Sequence, residues 1–281
     1  MASFFSQAIQ ITPSWLGYDK LKYLVIFGDS YSDVGYHYSP EEPKPTPEQP
    51  LGVAYPGVTW AERNEPNWVG HLVTNYTHSP LLAFCYAVGG DTIAGVQKQI
   101  VKKFLPVVGK KPQWAEWKSE DTLFITWIGI NDAAYNFDPS KSVEKLFEMQ
   151  ELVYEAGARN FLFINVPPIN RSPAVPESSR DRAQPYATWN TKLQSCAEEF
   201  STKHPDVTTM IYSSWMTFTR VLDDPVKHGF KAGDGRKAYG GIWVDHLHPT
   251  SRMHDWIAAD VYEFLSRHES YEEGQIKKAG P

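Results

Sequence analysis

Cysteine is scarce: the 281 residues contain two, Cys85 and Cys196. That allows one bridge and excludes a disulfide framework. Cys85 lies in an apolar run and Cys196 in a helical pattern, so two buried free thiols are expected. No C-x-x-C or mixed Cys/His pattern is present to hold structural zinc. No apolar run approaches the ~18 residues a membrane-spanning helix needs, so no membrane span is expected. Basic runs are missing and the net charge is -6, so nucleic acid is not an expected partner. The first ten residues lack a basic region and an uninterrupted apolar stretch. No signal peptide is therefore expected, and a cytoplasmic location is favoured; the alternative is a secreted protein whose signal has been removed. The sequons at Asn75 and Asn170 are short enough to arise by chance and matter only in that second case. The G-x-S-x-G nucleophile elbow does not occur.

Aromatic residues are plentiful at 14%, and hydrophobic residues make up 42%, enough for a substantial core. Apolar, β-branched runs at residues 23–27, 81–88, 122–128, 161–166 and 207–212 read as buried parallel strands. Helical spacing lies between them: Ile93, Val96, Ile100 and Phe104, then Val143, Leu146, Phe147 and Val153 up to a C-cap at Gly157. Longer helices are predicted over 186–203 and 251–267, the last opened by Pro249. Strands alternating with helices predict an α/β fold, a three-layer α/β/α sandwich around a five-stranded parallel sheet, with one domain over residues 1–281. The proline-rich stretch 39–50 and the Gly/Lys/Asp-rich stretch 223–241 are candidates for the rim or lid of a site, or for plain surface insertions.

Ligands in such sheets sit beyond the carboxyl ends of the strands, and the polar motifs fall there. Gly28-Asp29-Ser30-Tyr31-Ser32-Asp33 follows the first strand. Ser30 is placed as an exposed nucleophile would be, although the same residues suit a polar turn capping a helix. Gly89 and Gly90 follow the second strand and can bring backbone N–H groups close to a ligand, or simply turn the chain. Asn131 follows the third strand; its amide is either a non-titrating oxyanion donor or a helix N-cap. Asp245-His246-Leu247-His248 holds a carboxylate and two imidazoles. Asp245 and His248 are three apart, close enough for the carboxylate to orient the imidazole as a base, so His248 is the better base and His246 is structural or at the rim. These three could also begin a metal site, but no further His/Cys cluster supports one.

Taken in order, the blocks F-G-D-S-Y-S-D-V-G, A-V-G-G-D-T, G-I-N-D and D-H-L-H-P-T resemble the GDSL, or SGNH, hydrolase superfamily. The resemblance covers residues 23–267 and implies a flavodoxin-like SGNH hydrolase fold. It implies Ser30 as nucleophile, His248 as base and Asp245 as its orienter. The oxyanion hole it implies is the N–H of Ser30, the N–H of Gly90 and the side chain of Asn131, with Asp29 supporting the nucleophile turn. Tyr31 and Tyr36 depart from the family's usual residues, which affects borrowed pocket details. Together with N-W-V-G-H-L near Trp68, the pattern looks most like fungal acetylesterases of carbohydrate esterase family sixteen. The function so implied is a serine esterase acting on short-chain carboxylic esters, acetylated sugars or oligosaccharides above all. Tyr31, Trp243, His246 and the proline-rich loop are candidate substrate walls; Trp127 is another, although core packing is its expected role. No cofactor is expected, the partner is a small-molecule or oligosaccharide ester, and a monomer is expected. A GDSL lipase or an acyltransferase using the same triad, or an inactive carbohydrate-binding scaffold, are the alternatives.

Overall fold

The computed structural model describes residues 4–36, 38, 43–136, 138–179, 183–272 and 274. Six strands form one sheet: β1 (Gln7–Gln10), β2 (Tyr23–Gly28), β3 (Leu82–Cys85), β4 (Thr122–Trp127), β5 (Asn160–Ile164) and β6 (Thr208–Tyr212). Their order is β1-β6-β5-β4-β2-β3. The five predicted strands are present and parallel, each read from a run that is apolar because both of its faces are covered.

The prediction of five strands is corrected by β1, which pairs antiparallel with β6. Gln-Ala-Ile-Gln has no apolar run and is only half-buried, as an edge strand permits. Its Gln10 amide donates to the carbonyl oxygens of Val207 (2.7 Å) and His204 (3.2 Å), an anchorage invisible until β6 is in place.

The chain runs from β2 outward to β3, then back past β2 to β4, β5 and β6. With right-handed crossovers, this reversal sends helices to both faces of the sheet. Helices α1 (Trp68–Asn75), α6 (Ser214–Asp223) and α7 (Ser251–Ser266) form one packed group. Helices α2 (Ile93–Lys98), α3 (Ile130–Tyr135), α4 (Ser140–Glu155) and α5 (Gln184–Lys203) form the other. The chain of α2 runs on into a π-helical turn, Gln99–Phe104. Helices α1, α3 and α6 were not predicted: at six to ten residues they are too short for a helical period to stand out. The N-cap of α1 is Asn67, whose side chain accepts from the N–H of Val69 and Gly70. The N-cap of α7 is Thr250, so Pro249 precedes the helix rather than opening it.

The strand order reverses between β2 and β4, which creates a crevice at their carboxyl ends, where ligands bind in sheets of this kind. Ser30, Gly90 and Asn131 leave the sheet around that crevice.

Candidate active site

The Ser30 turn is held by Asp29. Its carbonyl accepts from the N–H of Ser32 and Asp33, both at 3.0 Å, and its Oδ1 accepts from the N–H of Tyr31 at 3.1 Å. Among the described residues no helix starts at this turn, so Ser30 is not a helix cap. The Ser30 N–H has no acceptor among the described residues.

Residues 240–250 close on themselves like a hairpin. Gly240 N–H donates to the Trp243 carbonyl, Val244 N–H to that of His248 and Thr250 N–H to that of Ile242. Inside the loop, Asp245 Oδ1 accepts from the N–H groups of Leu247 (2.6 Å) and His248 (2.7 Å). Asp245 Oδ2 lies 2.7 Å from His248 Nδ1, and His248 Nε2 lies 3.0 Å from Ser30 Oγ. Burial disfavours the charged form of Asp245, but the hydrogen bonds from the His248 ring and the two N–H groups outweigh it and hold the carboxyl below its ordinary range. Both oxygens of Asp245 and Nδ1 of His248 are thus spent on one another and the backbone. His246 is exposed and lines a neighbouring cavity.

Two further donors follow the second and third parallel strands, at Gly90 and Asn131. Gly90 has φ +79°, the left-handed conformation glycine favours, and its N–H has no acceptor among the described residues. Gly89 differs: its N–H donates to Asp33 Oδ2 at 2.8 Å and is occupied. Asn131 stands inside the first turn of α3, whose N-cap is Gly129, so the capping alternative is set aside. Its amide donates one hydrogen to the Asp91 carbonyl at 2.8 Å, which fixes the plane and leaves the second hydrogen available.

Two candidate walls are corrected. Tyr31 and Trp243 are fully buried and present no surface to a ligand. The Tyr31 hydroxyl donates to the Leu247 carbonyl at 2.8 Å, and its ring packs edge-on to Trp127. It ties the serine turn to the histidine loop from beneath. Trp243 donates through Nε1 to the Gly235 carbonyl, so stretch 223–241 supports the histidine loop. Trp127 is core. Of the proline-rich stretch, residues 39–42 lie outside the described residues; Pro50 accepts from Ala83 N–H along β3.

Sequence reasoning missed Trp60. Its indole lies over the His248 ring, with centroids 4.8 Å apart and planes 30° from parallel. No local signal announces it, because it comes from irregular chain far from both motifs. A cavity of about 380 Å³ borders the other side of the site, lined by Asn131, Ala134, Tyr135, Tyr186, His246 and Leu247 among others. It is within the size range of small-molecule sites.

A second Ser-His-Asp grouping joins α1 to α7. His71 Nε2 lies 2.9 Å from Ser251 Oγ, and His71 Nδ1 lies 3.5 Å from Asp255 Oδ1. It cannot act as a base toward Ser251. His71 Nε2 is also 3.1 Å from the Ser251 carbonyl, which only accepts, so Nε2 carries the hydrogen. The Ser251 hydroxyl itself donates to the Pro66 carbonyl.

Asp29 is fully buried, and its Oδ2 has no partner among the described residues. Burial first, and the charges of Asp132, Asp91 and Asp33 after it, push its carboxyl from 3.8 up to about 7, against the pull of the Tyr31 N–H. Burial drives the imidazole of His254 from 6.5 down to about 3, with His71 and His248 adding to the effect. As pH falls from about 7 to 4, folded Asp29 binds a proton that the unfolded chain does not, which adds stability. Over 6.5 to 3 the unfolded chain binds a proton that folded His254 refuses, which removes stability. Each contribution is roughly a few kcal/mol, so they largely offset. Asp29→Asn should therefore lose thermal stability more steeply than wild type between pH 7 and 4, followed by calorimetry; parallel Tm–pH curves would contradict this.

Residues 26–256 match the family model described as GDSL-like Lipase/Acylhydrolase family. An acetylesterase of Thermothelomyces thermophilus is 32% identical over 269 residues, 85% of this chain and 87% of the relative. A phosphatidylcholine-sterol acyltransferase of Aeromonas hydrophila is 24% identical over 240 residues, 79% of this chain and 66% of the relative. Among solved structures, the acetylxylan esterase Axe2 of Geobacillus stearothermophilus superposes with a TM-score of 0.56 at 13% identity, covering 87% of this chain and 94% of that one.

Proposed function

The chain belongs to the GDSL-like lipase/acylhydrolase family and is a carboxylic ester hydrolase, and from that premise we propose that it removes short acyl groups, acetyl above all, from sugars or oligosaccharides through Ser30, His248 and Asp245. The observation that carries the reading is the continuous path from Asp245 Oδ2 through the imidazole to Ser30 Oγ, in hydrogen bonds of 2.7 and 3.0 Å.

Ser30 Oγ attacks the ester carbonyl while His248 Nε2 takes its proton. The negative oxygen is met by the N–H of Ser30, the N–H of Gly90 and the Asn131 amide. Asp245 stabilises the imidazolium. His248 then returns the proton to the leaving alcohol oxygen as the C–O bond breaks, leaving an acyl-Ser30 ester. Water, deprotonated by the same imidazole, cleaves that ester and restores Ser30. Asp29 and Tyr31 act only by holding the turn and the loop. The T. thermophilus acetylesterase supports acetate as the acyl group.

Asn131→Ala should lower kcat by roughly two to three orders of magnitude with KM little changed, since one oxyanion donor is lost. A near-normal kcat in steady-state assays would remove Asn131 from the hole. The whole reading is tested by hydrolysis of 4-nitrophenyl esters from acetate to decanoate, with Ser30→Ala alongside. Turnover by wild type alone, fastest on acetate, supports it; a preference for decanoate replaces it with a lipase reading. Transfer to an alcohol in place of water is a second reading, favoured by the A. hydrophila acyltransferase. Ester formation with an added alcohol acceptor would distinguish it.

A further inference from the structure

We propose that Trp60 determines specificity for the alcohol part of the substrate, its exposed indole surface receiving a ring such as a pyranose or furanose. The inference rests on the esterase reading of Ser30 and His248. The leaving oxygen must reach His248 Nε2 to be protonated, so whatever hangs from that oxygen departs alongside the imidazole. The indole of Trp60 covers that imidazole at 4.8 Å. A ring on the leaving oxygen therefore meets Trp60 as it leaves the reacting atoms.

Trp60 is held firmly and yet left open. Its Nε1 donates to Asp33 Oδ2, the oxygen that also takes the Gly89 N–H. A Cβ on Gly89 would stand 2.3 Å from Trp60 Cζ2, so the indole lies flush against bare backbone. The surrounding turn is tied by Thr59 Oγ1 to the Glu65 carbonyl and by Glu62 Oε2 to the Ser251 N–H at the start of α7. Six other tryptophans are less than 2% exposed, whereas Trp60 is 45% exposed. An indole fixed at both its nitrogen and its ring edge loses little freedom when a ligand docks, which favours binding. Its open surface suits the C–H face of a sugar or an aromatic ring; an alkyl alcohol covers less of it. Asp33, which holds the indole, is a positioning residue.

The test compares wild type, Trp60→Leu and Trp60→Phe on an acetylated methyl glycoside and on ethyl acetate. In Trp60→Leu, the ratio of kcat/KM for the glycoside to that for ethyl acetate should fall about tenfold, carried by KM, because a ring face loses its aromatic contact. Trp60→Phe, which keeps a smaller aromatic face, should recover part of the loss. Equal losses of kcat on both esters with KM unchanged would mean that Trp60 only steadies His248, and would overturn the proposal. So would an unchanged ratio. Calorimetric titration of Ser30→Ala, alone and combined with Trp60→Leu, with the same glycoside separates this inference from the esterase reading. Binding that depends on Trp60 supports the platform even where wild type cleaves neither ester. Binding that ignores Trp60, or none at all, overturns it.

Discussion

Ser30→Ala should lower kcat by roughly four orders of magnitude or more on 4-nitrophenyl acetate, with little change in KM. The substitution removes one oxygen, at a site that is 6% exposed, and disturbs none of the three bonds that Asp29 makes to the turn. Fold and binding should survive. What disappears is the atom 3.0 Å from His248 Nε2 that would form the acyl-enzyme on the proposed mechanism. Residual hydrolysis would come from water oriented by His248 and polarised by the donors opposite. Stopped-flow mixing gives a second readout: a burst of nitrophenol in wild type wherever deacylation limits, and no burst in the variant. Retention of more than about a tenth of wild-type kcat would exclude Ser30 as nucleophile, since no substitute oxygen can repay so large a share of the barrier.

Asp245→Asn should cost roughly three to four orders of magnitude in kcat, despite being nearly isosteric. The reason lies in how the carboxylate divides its work. Oδ1 accepts from two backbone N–H groups, and Oδ2 from His248 Nδ1. An asparagine must keep its oxygen toward the two N–H groups, because an amide NH₂ against them would leave donors facing donors. Its NH₂ then faces His248 Nδ1, which can only accept. The hydrogen moves to Nε2, and the imidazole points a hydrogen at Ser30 where it needs a lone pair. Steady-state kinetics at neutral pH, with circular dichroism to verify the fold, check the outcome. Activity within tenfold of wild type would show that the carboxylate does not set the tautomer. At His71 the converse holds: Nε2, pinned against the Ser251 carbonyl oxygen, carries a hydrogen and cannot be a base.

How legible the site was depends on how locally each residue's fate is decided. Asp245 and His248 are three apart, so a single turn brings them together whatever the rest of the chain does. The placement of Ser30, Gly90 and Asn131 after strand ends could be read because parallel strands buried on both faces announce themselves as apolar runs. Tyr31 and Trp243 were misjudged for the opposite reason. An aromatic beside a site can face the ligand or the core, and only packing from other segments chooses; Tyr31 was taken by Trp127 and the Leu247 carbonyl. Trp60 was missed because its two partners, Asp33 and His248, lie on segments that its own neighbours in sequence do not reveal. Strand β1 escaped because an edge strand with one partner needs no apolar run, and its glutamine bonds exist only once β6 is formed.

Ser30 and His248 stand 218 positions apart in the chain. Bringing residues so far apart together costs loop-closure entropy before the contact rewards it. On the proposed mechanism, activity would therefore report that the two ends of the fold have met. A chain without His248 would keep the serine, the glycine and the asparagine and, on that mechanism, hydrolyse nothing. Cleaving the backbone between the two residues would leave fragments that are silent apart and regain turnover only by reassembling, so ester hydrolysis would report their reunion directly.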